Sequence, residues 1–200
     1  MSEGERIEKL RVLVERMVGA LGEENIVTLD TLNDLGAQLD ESGELEEART
    51  VYERCLAGQE RVLGEDHKKT LSTVNDLGVL HNDYLKDYKK ALEYFERTLK
   101  GYEKTLGKTH PSTLTALGNI GEVQRDSFGN FEKAESLLSQ ALQGHEAQLG
   151  KDNKDTEYYV EEYKKCLELS GNIKRLEKLK KEYPWLDEES SDEEEAEEDY

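Results

Sequence analysis

The side chains best suited to chemistry in this 200-residue chain are four histidines and two cysteines: His67, His81, His110, His145, Cys55 and Cys166. Metal-assisted or nucleophilic catalysis needs such groups at defined spacings, such as paired histidines around a glutamate or closely paired cysteines. The sequence contains neither pattern. Gly118 and Gly121 form a Gly-rich fragment, but no strand-like run precedes it, so a phosphate cradle is not expected. We therefore predict no catalytic activity, no metal site and no cofactor.

The elements that would position any site form a repeat. Leu-Gly occurs at positions 21, 63, 106 and 149, in steps of 42, 43 and 43 residues. Thr-Leu begins seven residues after each of the first three leucines, and Thr156 keeps this place in the fourth unit. A small residue follows at one further position of each unit: Ala48, Ala91 and Ala134. Self-similarity at such a period indicates a stacked repeat architecture.

Each repeat is predicted to form two antiparallel helices. The apolar residues of the first helix in repeat 1 are three or four positions apart, as one helical face requires: Leu29, Leu32, Leu35 and Leu39. Polar turns are expected near residues 40–44, 83–87 and 127–130. A single helix pair cannot bury its own apolar face, so neighbouring pairs must stack.

The repeat predicts six segments. Residues 1–22 form a half-repeat or N-terminal capping helix, with Leu10, Val14 and Leu21 on its buried face. Repeats 1, 2 and 3 cover residues 23–64, 65–107 and 108–150, and residues 151–186 form a degenerate capping repeat. Residues 187–200 hold ten acids and no base, which predicts a disordered acidic tail.

Several residues are assigned structural roles. Gly36 and Ala48 are small because packed helices lie only about 8–10 Å apart. His67 and His110 share a position with Asn25 and Asn153, and all four are predicted to cap a helix N-terminus. Cys55 is predicted to pack in the core. Trp185 and Leu186 are predicted to cover the last helix.

The small-residue and aromatic pattern resembles the tetratricopeptide repeat. The longer period, with Leu63-Gly64, His67 and Thr70-Leu71 and again Leu106-Gly107, His110-Pro111 and Thr113-Leu114, is similar to the subtype found in kinesin light chains. The resemblance covers about residues 5–183. It implies an all-α fold, a right-handed α-solenoid of antiparallel helix pairs in a tetratricopeptide-like superhelix, and a non-catalytic adaptor. Kinesin light chains also carry a long heptad segment that binds the motor heavy chain, whereas 22 residues precede the first repeat here.

Charge limits the classes of partner. The formal net charge is −19, although residues 164–182 carry seven bases against three acids. This charge argues against binding to nucleic acid or to an anionic membrane surface. No run of 18 apolar residues is present. Two cysteines fit a reducing compartment, so we expect a cytoplasmic location.

The first helices of a repeat stack line its concave side, the usual binding surface. Counting from the threonine of each repeat, the exposed offsets give the predicted partner-binding residues: Asp30, Asn33, Asp34, Asp40, Glu41, Asn75, Asp76, Asn82, Asp83, Asn119, Glu122, Arg125 and Asp126. Eight of these residues are acids and one is a base, which favours a basic or amide-rich peptide or helix. The alternative is that they are merely solvated acids and that a partner binds elsewhere, for example at the basic patch 174–181.

The sequence thus predicts a non-catalytic protein–protein interaction scaffold. The alternative is a kinesin-light-chain-like cargo adaptor in microtubule-based transport, for which the kinesin heavy chain would be a partner. Ser190 and Ser191 each have an acid three residues later, which is typical of sites for an acid-directed kinase.

Overall fold

The computed structural model describes residues 3–187, and this range is almost entirely helical. Its nine α-helices are α1 (Glu3–Leu21), α2 (Ile26–Glu41), α3 (Leu45–Leu63), α4 (Lys68–Asp83), α5 (Tyr88–Thr105), α6 (Pro111–Asp126), α7 (Phe131–Leu149), α8 (Lys154–Ser170) and α9 (Ile173–Glu182), followed by a 3₁₀ turn at Pro184–Asp187. No strand occurs within this range, which confirms the all-α prediction, and the three predicted turns lie between paired helices. None of these helices is both long and apolar enough to cross a bilayer.

The chain divides into two compact units, Met1–Ala116 and Leu117–Tyr200, and the division falls within α6. The core of the first unit is apolar and includes Ile7, Leu32, Leu39, Tyr52 and Leu77. The core of the second unit includes Leu138, Tyr159, Val160, Leu167 and Leu186. Removal of these side chains from water is the main favourable contribution to the stability of each unit.

The repeated Leu-Gly and Thr residues form one local structure. Four glycines at the starts of the turns have φ of 87–92°: Gly22, Gly64, Gly107 and Gly150. Glycine adopts this conformation without the steric cost that a Cβ imposes. Six residues later, a threonine hydroxyl donates a hydrogen bond of 2.8–2.9 Å to the carbonyl oxygen of each glycine. The repeated residues therefore form the same hydrogen-bonded turn at four places in the chain.

The first helices of the four repeats, α2, α4, α6 and α8, share one kind of N-cap. A side-chain acceptor receives a hydrogen bond of 2.9–3.3 Å from the backbone N–H two residues on, at Asn25, His67, His110 and Asn153. In both histidines the acceptor is Nδ1, which must be unprotonated to accept. Pro111 is the first residue of α6, where a missing N–H costs nothing. The predicted capping role of the four residues is confirmed.

Paired helices approach closely at small residues, as predicted for Gly36 and Ala48. A Cβ added to Gly36 would lie 2.7 Å from the ring of Tyr52, and one on Gly78 would lie 2.6 Å from the ring of Phe95. Ala48 has no exposed surface. Side chains of ordinary size at these positions would push the helices apart.

A second set of glycines also allows close approach of paired helices, and we did not predict this role from the sequence. A Cβ on Gly58 of α3 would overlap the side chain of Leu29, and one on Gly101 of α5 would overlap Leu71. Gly58 and Gly101 are one repeat apart, so the signal was present in the sequence.

The two ends of the described range differ in how well they follow prediction. In α1, Val14 is buried and Leu10 is half-buried, but Leu21 is 49% exposed, so its predicted burial is wrong. Leu21 is the last residue of α1, where the chain turns away at Gly22. At the other end, Leu186 is buried and Trp185 is half-buried against the core of the second unit, which confirms their predicted packing.

Candidate protein-binding face

The part of the predicted acidic face that belongs to α2 and α4 lies in the first unit. Three of its residues are exposed: Asp34, Glu41 and Asp83. Six are half-buried: Asp30, Asn33, Asp40, Asn75, Asp76 and Asn82. The face therefore combines solvated carboxylates with polar groups that have lost much of their contact with water.

Asp30 is already neutralised at one end of this face. Both of its carboxylate oxygens accept hydrogen bonds of 2.7 Å from Lys69 Nζ at the start of α4. Lys69 lies one residue before the threonine of its repeat, outside the offsets counted from the sequence, so the prediction did not include this base. Asp30 consequently contributes little to the negative field of the face.

Asn33 belongs to a polar chain between the two helices. The hydroxyl of Thr73 donates a 2.6 Å hydrogen bond to Asn33 Oδ1. The side chain of Asn33 also hydrogen-bonds the carboxylate of Asp76, which lowers the pKa of Asp76 but does not offset the effect of its burial. Asn33 thus serves chiefly to join α2 to α4.

Four carboxyl groups of α2 and α4 are electrostatically linked through Asp40, and we call Asp40, Glu41, Asp76 and Asp83 the Asp40 cluster. Burial, together with Asp40, raises the pKa of Asp76 to about 6. Burial, with Asp83 and Glu41, raises the pKa of Asp40. Asp40 Oδ1 is buried and accepts no hydrogen bond from residues 3–187. Partly desolvated like charges with no ion pair to a base of residues 3–187 make a cation or hydrogen-bond donor favourable here.

Arg125 of the second unit is not on an exposed face. It is 3% exposed, so its predicted exposure is wrong. Its guanidinium donates to Glu162 Oε2 at 2.5 Å, to the Glu162 carbonyl oxygen at 2.8 Å and to both carboxylate oxygens of Asp126 at 2.7 Å. These bonds hold the pKa of Asp126 below its ordinary value. The side chain is buried because α8 supplies an acid to receive it.

The other predicted residues of α6 are partly covered as well. Glu122 is half-buried, and its Oε2 accepts a 3.0 Å hydrogen bond from the hydroxyl of Tyr158. Burial and the neighbouring Glu162 raise the pKa of Glu122 to about 7. Asn119 is half-buried and Asp126 is exposed.

Comparison with known families agrees with these helix pairs. A family model described as the tetratricopeptide repeat matches residues 27–104 and 81–147. The chain belongs to the tetratricopeptide repeat family. Among curated protein sequences, none matches this chain.

Solved structures show the same tetratricopeptide repeat fold. The nearly identical TPR-like repeats assigned to a kinesin light chain of Podosopora anserina are 20% identical, with a TM-score of 0.77, over 94% of this chain and 88% of that one. A point variant of those repeats gives a TM-score of 0.78 at the same identity and coverage. BtubC (BKLC) from P. vanneervenii is 16% identical, with a TM-score of 0.67, over 88% of this chain and 78% of that one.

These similarities confirm the predicted fold class, a tetratricopeptide-like α-solenoid of antiparallel helix pairs, and the fold is similar to that of repeats assigned to a kinesin light chain. Tetratricopeptide repeats are protein-interaction scaffolds and are typically non-catalytic. The division into repeats at the stated residues stays a prediction.

Apart from the N-caps His67 and His110, the histidines and cysteines of this tetratricopeptide repeat chain are buried. Cys55 is fully buried and its thiol donates to the Leu29 carbonyl oxygen, which confirms its predicted packing role. Burial raises the pKa of the Cys55 thiol to about 12 and that of Cys166 to about 11. His81 and His145 are buried, and burial lowers the pKa of each. Within residues 3–187 no group of three metal-ligating side chains comes together.

The predictions for the acidic tail concern residues that the structure does not describe. The described range ends at Asp187, so Ser190 and Ser191 lie outside it. Their phosphorylation and the disorder of the tail stay predictions.

Proposed function

We propose that this tetratricopeptide repeat chain is a non-catalytic scaffold that binds a basic or amide-rich peptide or helical segment on the α2 and α4 face of its first unit. The Asp40 cluster is the observation that carries this proposal. Burial, with a smaller effect of the neighbouring carboxyl groups, raises the pKa of Asp40 and brings that of Asp76 to about 6.

A basic partner would relieve two costs at once. Its cationic groups would offset the repulsion among the four carboxyl groups of the Asp40 cluster. Its N–H donors would also satisfy Asp40 Oδ1, and an unpaired buried acceptor costs about 1–3 kcal/mol. Lys69 does not already serve this role, because both carboxylate oxygens of Asp30 bind its Nζ. The contributions of Asn119, Glu122 and Asp126 in the second unit stay predictions.

The test is fluorescence anisotropy of a short labelled peptide of alternating lysine and glutamine, titrated with the full-length chain. Glu41→Lys/Asp83→Lys places two cations beside Asp40 at exposed positions near helix C-termini, where positive charge is tolerated. We expect this variant to bind the peptide about tenfold more weakly, equivalent to about 1.4 kcal/mol. A matching peptide of alternating glutamate and glutamine should not bind the native chain.

The matched control is Glu96→Lys/Glu103→Lys. Both residues are exposed on α5 of the same unit, and the variant has the same net charge as the test variant. It should bind the basic peptide almost as well as the native chain does. An equal loss in both variants would mean that the peptide responds only to net charge, and unchanged binding in both would place the site elsewhere.

A second candidate function is that of a cargo adaptor in microtubule-based transport. It is favoured by the structural similarity to repeats assigned to a kinesin light chain. The test is a pull-down of purified kinesin heavy chain by the full-length chain and by the Glu41→Lys/Asp83→Lys variant. Binding to both would support the adaptor over the acidic-face scaffold.

The proposed setting follows from charge and cysteine chemistry. A net charge of −19 disfavours nucleic acid and anionic membranes as partners. Cys55 and Cys166 are free and buried, as suits a reducing compartment, so the proposed location is the cytoplasm.

A further inference from the structure

Helix α9 presents a row of lysines along one side. Lys174, Lys178 and Lys181 are spaced by four and three residues, which places them on one helical face. All three are exposed, whereas Leu179 on the opposite side is buried in the core of the second unit. We call these three residues the lysine stripe.

The lysine stripe has no counterion among residues 3–187. Other bases of this region are already paired: Arg175 with Glu135 at 2.6 Å, Lys165 with Asp126 at 3.8 Å and Lys151 with Glu146 and Glu182 at 3.5 Å. None of the three stripe lysines forms such a pair within that range. Two acids of α9, Glu177 and Glu182, are each adjacent in sequence to a stripe lysine, and Glu182 is already paired with Lys151. The stripe is thus a local positive surface on a chain of net charge −19.

The sequence that follows the described range has the complementary charge. Residues 188–200 comprise thirteen residues, of which nine are acids and none is a base. We propose that the lysine stripe of α9 binds this acidic segment of the same chain. This inference is independent of the proposed partner-binding face, because it involves other helices and the opposite charge.

The distances permit this contact. The ten residues of α9 extend over about 15 Å. Thirteen residues can span up to about 43 Å, and they follow Asp187, only six positions after Lys181. The segment can therefore reach each lysine of the stripe.

A cleft beside the stripe provides room for an extended chain. It has a volume of about 1160 Å³ and lies between α7 and α9, with Arg175, Lys178 and Glu182 on the α9 side. Its α7 side carries neutral polar residues and three acids: Ser136, Ser139, Gln140, Gln143, Glu132, Glu135 and Glu146. Glu135 is paired with Arg175, and Glu146 and Glu182 are paired with Lys151. Backbone groups of the bound segment can hydrogen-bond the serine and glutamine side chains while its carboxylates face Lys178.

Electrostatics gives the contact a characteristic salt dependence. Single exposed ion pairs are weak, but attachment to the same chain raises the effective concentration of the acidic segment to the order of millimolar. Salt at about 1 M shortens the Debye length to about 3 Å, so the contact should be lost there.

Paramagnetic relaxation in the full-length chain tests the proposal. Ala196→Cys provides a site for a nitroxide label, since Cys55 and Cys166 are fully buried. At low salt we expect loss of the amide signals of residues 174–181 by paramagnetic broadening, and their recovery at high salt. A mixture of isotope-labelled chain without nitroxide and unlabelled chain with nitroxide should show no broadening, because the contact is within one chain.

Three variants decide where the contact lies. Lys174→Gln/Lys178→Gln/Lys181→Gln should lose the broadening. Lys68→Gln/Lys89→Gln/Lys108→Gln, which removes the same charge from exposed positions of the first unit, should retain it. Glu193→Gln/Glu194→Gln/Glu195→Gln should also lose it and leaves α9 unchanged, so the test stands even if the stripe variant lowers helix content. Absence of broadening at low salt, its persistence in the stripe variant, or broadening in the mixed sample would each overturn the proposal.

Discussion

At the scale of single residues, burial decides what an arginine–glutamate pair contributes to stability. Arg125 is 3% exposed and binds Glu162, whereas Arg54 and Glu23 pair with 41% and 49% of their side chains exposed. Arg125→Met would leave the Glu162 carboxylate partly buried without its counterion, so we expect the free energy of unfolding to fall by about 3–5 kcal/mol. Arg54→Met should change it by less than about 1 kcal/mol. Urea denaturation of both variants measures the difference, and similar losses would contradict it.

The same pair shows the limit of sequence reading at this scale. Arg125 occupies an offset that repeat counting marks as exposed, and the acid that buries it lies 37 residues later in the degenerate fourth unit. Lys69 likewise reaches Asp30 of the preceding repeat. Ion pairs between repeats depend on which charge the neighbouring unit supplies, and the repeat pattern carries no information on that choice.

At the scale of helices, the glycines decide how closely a pair packs. A Cβ on Gly78 would lie 2.6 Å from the buried ring of Phe95, whereas one on Gly19 of α1 would meet no atom within 4 Å. Gly78→Ala should therefore lower the free energy of unfolding by about 1–3 kcal/mol through overpacking. Gly19→Ala should raise it by about 0.5–1 kcal/mol through helix propensity. Thermal and urea unfolding of the two variants provide the test, and a gain in stability for Gly78→Ala would show that Phe95 can move aside.

Helices and turns were the most predictable features, because each depends on residues close in sequence. The Gly64 carbonyl and Thr70 hydroxyl lie six residues apart, and the N-cap at His67 lies between them. Such contacts repeat whenever the turn repeats. The predicted acidic face was harder, since the half-burial of Asp76 and its bond to Asn33 depend on how α2 meets α4.

At the scale of the whole molecule, each unit contains a buried histidine and a half-buried carboxyl group whose pKa shifts have opposite effects on stability. Burial lowers the pKa of His81 in the first unit and of His145 in the second. Their contribution to stability is present above the unfolded value of about 6.5 and is lost on acidification, because the unfolded chain then binds more protons. Burial raises the pKa of Asp76 to about 6 and that of Glu122 to about 7. Their contribution is complete below about pH 4 and is lost as pH rises through 6 to 7.

These opposite effects should partly offset each other just below about pH 6.5, so the stability of the native chain should vary less there than that of either variant described below. Asp76→Asn/Glu122→Gln removes the loss of stability that the two carboxyl groups cause as pH rises. The free energy of unfolding of this variant should fall as pH falls below about 6.5. His81→Phe/His145→Phe removes the loss of stability that the two histidines cause as pH falls. The free energy of unfolding of this variant should fall as pH rises from 5 to 7.

Phenylalanine suits both sites, because the histidine ring nitrogens accept and donate no hydrogen bond within residues 3–187 and the rings lie against Tyr94 and Tyr159. Urea denaturation across this pH range measures the free energy of unfolding of the native chain and the two variants. Parallel dependence on pH in all three would show that these groups titrate alike in the folded and unfolded states. Opposite dependence in the two variants would show that burial of these groups governs the response to pH.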